Sequence, residues 1–185
     1  MKNNYYDQIL IELSQTLSNL DDKSIGQLLE AIVEAKCVFL TGAGRSGLVM
    51  KCFAMRLMHL GLKAYVVGET TTPGISESDL LIIGSSSGET ESVLVFAKAA
   101  RKHNARLGLI TAFPDSTLGK LADINILVSI PASKDIPGAG LTTIQPGGSL
   151  FEQSLMLMLD GVILKLIEKL NVRPTSLREN HANLE

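Results

Sequence analysis

The chain has 185 residues, 45% of them hydrophobic and 19% charged, with a formal net charge of -2. This is an ordinary globular balance, and without a composition break or an internal repeat it predicts one domain over residues 1–185. The rather low charge content leaves room for contacts between subunits. Because the net charge is slightly negative and no run of lysine or arginine occurs, nucleic acid is not an expected partner.

The residues predict neither export, nor a membrane span, nor a metal site. Met1–Gln8 is polar and acidic, whereas a secretory signal begins with basic and then apolar residues. The most apolar run, Leu155–Ile167, contains two charged residues, so it does not predict a transmembrane helix. Cys37 and Cys52 lack the spacing of a disulfide or a metal site. We therefore expect a cytoplasmic protein in which both cysteines are reduced core thiols.

Apolar spacing predicts two leading helices, at about 5–19 and 24–35, with Asp21 and Asp22 as the break between them. After them the pattern changes to short apolar runs that end at glycine or hydroxyl residues. Five strands are predicted: Val38–Leu40, Ala64–Val67, Leu80–Ile83, Leu107–Ile110 and Ile124–Val128. Helices are predicted between most of them, at about 46–60, 90–103 and 116–121. This alternation predicts an α/β fold, with a parallel sheet and helices on both faces.

Two loops and one long helix complete the predicted organisation. No helix is predicted between the second and third strands, and the segment 68–79 is long enough to line a site. A second loop, Pro131–Gly148, is rich in glycine and proline and precedes a helix at 149–170. That helix is apolar on nearly every side over residues 155–159. One face should therefore contact the sheet and another a second subunit.

A glycine-rich loop, Thr41–Gly47, follows the first strand and opens a helix. In an open α/β sheet, such a loop lets backbone amides approach an anion at the helix N-terminus. Its glycines also fit the dinucleotide pattern GxGxxG, so an oxidoreductase with a nucleotide cofactor is an alternative. Such a protein needs an acidic residue at the end of the second strand. Val67 and Gly68 stand there instead, with Glu69 one step further.

A hydroxyl-rich loop, Gly84–Thr90, follows the third strand and also opens a helix. The three phosphate oxygens of a monoester accept hydrogen bonds, and short hydroxyl groups together with amides at a helix start suit that geometry. The alternative is a capping box between Ser86 and Glu89. Capping requires one serine, whereas this loop has three in a row. The loop therefore favours a phosphate site over a dinucleotide site.

The two loops together resemble the sugar isomerase (SIS) domain, a family that binds phosphosugars, and this resemblance covers nearly the whole chain. More narrowly, six segments resemble the 6-phospho-3-hexuloisomerase family: 42–47, 53–59, 67–69, 143–146, 148–153 and 181–185. The resemblance implies a flavodoxin-like or Rossmann-like sandwich around a parallel sheet. It also implies a cofactor-free homotetramer that interconverts 3-hexulose 6-phosphate and fructose 6-phosphate, the second step of ribulose-monophosphate formaldehyde fixation.

The resemblance also implies roles for particular residues. Ser46 and the segment Ser85–Thr90 would hold the phosphate, and Glu152 would be the proton acceptor. The family loop often reads Ser-Gly-Ser, whereas this chain has serine at position 86. A glycine-only backbone angle is therefore not expected at Ser86.

The isomerase reaction needs a proton acceptor, and a carboxylate can serve as one. Moving a carbonyl from carbon 3 to carbon 2 requires removal of the carbon 2 proton, a 2,3-enediol, and return of a proton to carbon 3. One carboxylate can make both transfers if a donor steadies the enediolate oxygen, and no metal is needed. Glu152 is the candidate, although Ser149 and Glu152 also have the spacing of a capping box.

The histidines and Arg45 leave several roles open. His103 lies in a charged run and is expected on the surface, and His59 lies on an apolar helix and is expected in the core or an interface. His181 is four residues from the end, but Ser176–Glu179 can restart a helix, so we expect the tail to dock. A neighbour's tail would then bring His181 to the active site. Arg45 either supports the phosphate or is simply exposed.

The candidate residues follow from these arguments. The catalytic candidates are Glu152 and His181. The substrate-binding candidates are Arg45, Ser46, Ser85, Ser86, Ser87, Gly88, Glu89 and Thr90. The ligand is a small phosphosugar, and the alternatives to the isomerase are turnover of another ketose phosphate or a non-catalytic phosphosugar-sensing module. A sensing module needs an attached output domain, and none is expected in this chain.

Overall fold

The computed structural model describes residues 4–130 and 143–183, and side chains there except those of residues 174–176. The helices are α1 Tyr5–Ser18, α2 Asp22–Glu34, α3 Gly44–His59, α4 Glu91–Lys102, α5 Thr117–Leu121, α6 Ser149–Lys169 and α7 Pro174–Glu179. The strands are β1 Val38–Gly42, β2 Ala64–Val66, β3 Leu80–Gly84, β4 Arg106–Thr111 and β5 Ile124–Leu127. All five predicted strands and every predicted helix are present.

The strands form one parallel sheet in the order β2-β1-β3-β4-β5. The chain runs outward from β1 to β2, crosses back to β3 on the other side of β1, and continues to β5. The strand order therefore reverses between β1 and β3. In open α/β sheets, ligands bind beyond the carboxyl ends of the strands at such a reversal.

Alternate strand residues divide the core between the two faces of the sheet. Val38 and Leu40 pack with α2, α3 and α6, while Phe39, between them, packs with α4 and α5 on the other face. Helix α1 packs on the outside of α6. The prediction of helices on both faces is confirmed. Among the described helices, none is long and apolar enough to cross a membrane.

Local chemistry accounts for the first two helices. The side chain of Asn4 accepts a hydrogen bond from the Tyr6 backbone amide and caps α1. The carboxylate of Asp21 accepts from the amides of Lys23 and Ser24 and caps α2, which explains the break between the two helices.

The tail forms helix α7, which packs against α3 of the same chain. The helix starts at Pro174, two residues before the predicted restart. The expectation of two core thiols is wrong for Cys52, which is exposed on α3. Most of the predicted loop Pro131–Gly148 lies outside the described residues.

Candidate active site

A cavity of about 280 Å³ lies where the strand order reverses, at the carboxyl ends of β1 and β3. Five of its lining residues carry hydroxyl groups: Ser46, Ser85, Ser86, Ser87 and Thr90. The others are Ala43, Gly84 and Phe113. All five hydroxyl residues are phosphate candidates from the sequence, and they come from both predicted loops. Small donors thus surround a space that can accept a phosphate group.

The glycine loop is shaped by close backbone packing. A Cβ atom at Gly42 would lie 2.8 Å from the Gly84 carbonyl oxygen, and one at Gly47 would lie 2.6 Å from the Gly42 carbonyl oxygen. Neither position has room for a side chain. The two glycines therefore let the start of α3 lie directly against β1 and β3, and this places Ser46 at the cavity.

The hydroxyl-rich loop Gly84–Thr90, which we call the serine loop, is fixed by hydrogen bonds within itself and to the chain after β4. The hydroxyl of Ser85 accepts from the Gly88 amide at 3.2 Å. The carbonyl of Ser86 accepts from the Ala112 amide and the Thr111 hydroxyl, both at 3.0 Å. The φ of Ser86 is not positive, so this residue does not need the backbone conformation that favours glycine, as predicted. The loop therefore presents its hydroxyls from a fixed backbone.

Three of the helices that begin at this edge of the sheet lack side-chain caps. Among the described helix starts, Ala43 of α3, Thr90 of α4 and Gly148 of α6 make no capping hydrogen bond. In contrast, Ser116 caps α5, as Asn4 and Asp21 cap α1 and α2. An uncapped helix start leaves backbone amides available and favours a negative charge. The cavity therefore combines hydroxyl donors with the starts of α3 and α4.

Glu152 lies in the first turns of α6, beside the residues that lead into the cavity. Its Oε2 is 2.7 Å from Nη1 of Arg45, which is next to Ser46 in the chain. That nitrogen donates its hydrogen bond to the Ser149 hydroxyl at 2.9 Å, and Oε2 accepts none from the described residues. The Ser149–Glu152 capping box is wrong, because α6 has no side-chain cap and both residues face Arg45.

Glu89 and Gly88 support the loop from behind and do not line the cavity. The carboxylate of Glu89 accepts from the Thr117 amide at 2.7 Å, and this bond lowers the pKa of Glu89. The capping box between Ser86 and Glu89 is therefore absent, since Glu89 caps nothing on α4. The amide of Leu118 donates to the Gly88 carbonyl, so α5 holds this part of the loop.

A polar network that the sequence did not indicate lies before α6. The carboxylate of Glu12, on α1, accepts from the Thr143 hydroxyl at 2.7 Å, the Ile144 amide at 2.8 Å and the Gln145 amide group at 3.0 Å. The side chain of Gln153 donates to Oε1 of the buried Gln145. Glu12 thereby fixes the segment that enters α6, and hence the turn that carries Glu152.

His181 lies far from the cavity within the same chain. Its ring stacks on that of His59, with centroids 4.9 Å apart, at the last turn of α3. The cavity is at the first turn of that helix, and 16 residues at about 1.5 Å each separate its ends by roughly 24 Å. His59 is buried and His103 is exposed, as predicted. One chain therefore does not bring His181 to Glu152.

Metal binding and dinucleotide binding would each depend on particular acidic, histidine or cysteine side chains. In residues 4–130 and 143–183, no cluster of three His, Cys, Asp or Glu side chains could hold a metal ion. Glu69, the acidic residue nearest to the end of β2, is 3.3 Å from Nζ of Lys51.

Comparison with known families agrees with this architecture. The family model described as "SIS domain" matches residues 31–157, more than half of the chain. The chain belongs to the SIS domain family. The predicted family and fold class are thus confirmed: a single-sheet SIS fold with five parallel strands and flanking helices.

Individual relatives of this SIS domain are similar over nearly their full length. It is 44% identical to the "3-hexulose-6-phosphate isomerase" of Bacillus subtilis strain 168, covering 98% of this chain and 97% of the relative. It is 42% identical to the protein of the same name from Mycobacterium gastri, covering 94% and 86%. A solved Methanococcus jannaschii structure, for which that molecular function was inferred, superposes with a TM-score of 0.83 at 36% identity, covering 95% and 98%.

The structure adds cavity residues to this SIS domain that the sequence did not single out. Phe113 belongs to the segment after β4, where no candidate was expected. Ala43 is detectable in principle, because an alanine at a helix start cannot supply a side-chain cap. Glu12 gives no such signal, because nothing in the spacing of α1 distinguishes it from an ordinary solvated acidic residue.

Proposed function

We propose that this chain is a 3-hexulose-6-phosphate isomerase, which interconverts 3-hexulose 6-phosphate and fructose 6-phosphate through an enediolate without a cofactor. The observation that carries the proposal is the cavity with five hydroxyl side chains between two uncapped helix starts, with the Glu152 carboxylate 2.7 Å from Arg45, the residue before one of those hydroxyls. Relatives with that name, similar over nearly the whole chain, support the choice of substrate.

The phosphate of the substrate occupies the cavity lined by the five hydroxyl residues, which we call the serine cavity. Ser46 and Thr90 lie at the starts of α3 and α4, so each can donate a hydroxyl hydrogen bond next to free backbone amides. Ser86 and Ser87 supply further donors, while the buried hydroxyl of Ser85 accepts from the Gly88 amide and lies 3.4 Å from the Thr90 hydroxyl, so it also holds the loop together. Binding the non-reacting phosphate orients carbons 2 and 3 and reduces the entropic cost of the reaction.

Glu152 takes the proton from carbon 2 and returns it to carbon 3. Its side chain is 17% exposed, and no described residue donates a hydrogen bond to Oε2, which is itself buried beside Arg45; the exposed part of the carboxylate therefore meets the substrate proton. Arg45 keeps the carboxylate beside the cavity and holds a positive charge near the oxygens where negative charge develops. Gly88 and Glu89 act from behind, through the backbone of the serine loop.

The enzyme works as a homo-oligomer, a tetramer by resemblance, in the cytoplasm and in the ribulose-monophosphate pathway. Large apolar side chains remain exposed on α3 and α6: Leu48, Met55, Met58, Leu157 and Leu164. A second copy would bury them. Since His181 lies at the far end of α3, it reaches a serine cavity only from another subunit, where it moves a proton between the enediol oxygens or assists ring opening.

The test is a coupled assay that measures fructose 6-phosphate formed from enzymatically generated 3-hexulose 6-phosphate. The expected result is turnover without added metal or nucleotide, and unchanged after treatment with a chelator. Turnover of a different ketose phosphate alone would preserve the mechanism and reject the substrate. Stabilisation by NAD but not by fructose 6-phosphate would contradict the proposal and support the dinucleotide alternative.

A further inference from the structure

A second cavity, of about 400 Å³, lies at the C-terminal end of α3, where α6 and α7 meet that helix. We call it the basic cavity. Its polar lining consists of two guanidinium groups and two imidazole rings: Arg56, His59, Arg178 and His181. Its apolar lining is Ile163, Ile167 and Leu177. None of these lining residues is acidic, so the cavity is suited to an anion that also presents some apolar surface.

The two arginines are available for a ligand. Arg45, Arg101 and Arg106 each lie within 3.0 Å of a carboxylate. Arg56 and Arg178 are exposed, and neither forms an ion pair with any residue in the described part of the chain. A guanidinium group binds phosphate and carboxylate with paired hydrogen bonds, so two of them in one cavity form a strong anion site.

The histidines hold this arrangement in place. The side chain of Asn180 donates to the His59 carbonyl at 3.1 Å, and the rings of His59 and His181 stack with an interplanar angle of 24°. Both contacts hold the chain just after Arg178 against the end of α3. Burial, followed by the charges of His181 and Arg56, lowers the pKa of His59.

The serine cavity, in contrast, has no positively charged side chain in its lining. A phosphate monoester carries a charge of about -1.5 to -2 near neutral pH. The lining of that cavity offers only neutral donors, and the nearest guanidinium, Arg45, contacts Glu152 and Ser149. The two cavities lie at opposite ends of α3, so they cannot meet within one chain.

We propose that the basic cavity closes over the serine cavity of a second copy of this chain, where Arg56 and Arg178 contact the anionic sugar phosphate. This inference rests on the proposed function and adds two substrate-binding residues to it. Exposed apolar residues lie next to the basic cavity on both helices, Met55 and Met58 on α3 and Leu164 on α6. The second copy would also cover these apolar residues. The apolar contacts and the charged contacts would then lie on one continuous surface around the basic cavity.

A purely structural role for the arginines makes a different prediction. Arg56 lies in the last turn of α3 and Arg178 in the last turn of α7, where cations stabilise the negative end of a helix. In that role, their removal lowers the melting temperature and leaves the Michaelis constant unchanged. In the proposed role, their removal changes the Michaelis constant.

The experiment compares Arg56→Gln and Arg178→Gln with the control Arg173→Gln, an exposed arginine that does not line the cavity. We expect each cavity variant to raise the KM for 3-hexulose 6-phosphate at least tenfold. Arg178→Lys should recover part of that loss, and the control should behave as wild type. Oligomers that combine Arg178→Gln with Ser46→Ala chains should contain some sites with both groups intact, and should bind substrate better than either variant alone.

Normal KM values for both cavity variants, with Glu152→Gln inactive, would overturn this inference and leave the isomerase intact. Normal turnover by Glu152→Gln would instead reject the proposed base. Calorimetry with fructose 6-phosphate provides an independent check. One binding site per chain, weakened in the cavity variants, supports a shared site. Two independent sites per chain would overturn it, because the basic cavity would then bind its own ligand.

Discussion

The guanidinium of Arg45 lies 2.7 Å from Oε2 of Glu152, yet its N–H group donates to the Ser149 hydroxyl and leaves that carboxylate oxygen without a hydrogen bond. Arg45 is 58% exposed, and an exposed ion pair contributes only about 0–1 kcal/mol to folding. The pair is therefore a weak reason for stability. Its more important effect is on the position of the carboxylate, because it holds Glu152 next to the residue that precedes Ser46.

Replacing Glu152 by Gln removes the base and keeps the shape of the side chain. We expect unchanged folding and substrate binding, and a kcat lower by about 10²- to 10⁴-fold, the usual contribution of a general base. The control is Glu168→Gln, an exposed glutamate on the same helix. The measurements are kcat and KM from the coupled assay and the melting temperature. Full activity of a folded Glu152→Gln protein would reject the assignment.

Replacing Ser87 by Ala tests the phosphate site. Ser87 lines the cavity and is exposed, and its hydroxyl accepts only from the Glu89 amide, so its proton is available to a ligand. Loss of one hydrogen bond to a charged phosphate, about 1.5–3 kcal/mol, predicts a KM roughly 10- to 150-fold higher. Ser92→Ala, on the exposed side of α4, is the control. If both kinetic constants stay at wild-type values in Ser87→Ala, this residue does not hold phosphate.

The serine loop also depends on Gly88 for stability. Gly88 has a φ of +65°, and a Cβ there would lie 1.9 Å from the Ser116 hydroxyl. We expect Gly88→Ala to lower the free energy of unfolding by more than about 2 kcal/mol, since strain and overlap add. Gly26→Ala, in α2 with no atom within 4 Å of a new Cβ, should raise it by up to about 1 kcal/mol. Urea denaturation measures the free energy of unfolding of both variants. Equal stability of Gly88→Ala and Gly26→Ala would contradict the close approach of Gly88 and Ser116.

Much of this site could be predicted because each cavity hydroxyl lies within about six residues of the end of a strand, and parallel strands bring their carboxyl ends to one edge. Ser46 and Ser87 come together for that reason. Phe113 and Glu12 could not be predicted, because their positions depend on tertiary packing between segments distant in sequence. The capping box at Ser149 failed for a related reason: Arg45, more than a hundred residues earlier, competes for both side chains.

The Glu12 network should make stability depend on pH. Burial raises the pKa of Glu12, but hydrogen bonds from Gln145, Ile144 and Thr143 outweigh it, so the net pKa is lowered from its ordinary value of 4.5. A carboxyl group whose pKa is lower in the folded state than in the unfolded state stabilises the folded protein at pH values above its unfolded-state pKa. That contribution is lost as the pH falls below about 4.5 toward the folded value.

We therefore expect Glu12→Gln to destabilise the protein at pH 7, by about 1–2 kcal/mol from weaker hydrogen bonds, and to matter less below pH 4.5. Denaturant titrations at several pH values measure the difference between the variant and wild type. Glu30→Gln, whose only described partner is an exposed lysine, is the control. A difference that stays constant from pH 7 to pH 3.5 would show that the charge of Glu12 is not involved.

The proposed sharing of His181 between subunits predicts recovery of activity on mixing. Glu152→Gln chains keep His181, and His181→Ala chains keep Glu152, so each homo-oligomer is expected to be nearly inactive. In randomly mixed oligomers, about one quarter of the sites receive both intact residues from different chains. The rate should therefore rise toward a quarter of the wild-type value, with mixing verified by native mass spectrometry.

If each site used residues of one chain only, mixing would restore nothing, because no chain in the mixture carries both residues. The distance along α3 argues against that arrangement, since His181 stacks on His59 at one end and the serine cavity opens at the other. Deleting residues 175–185 gives a second measurement. Retention of the full rate by the truncated chain would make His181 an ordinary tail residue, and His59 would then be the histidine to substitute next.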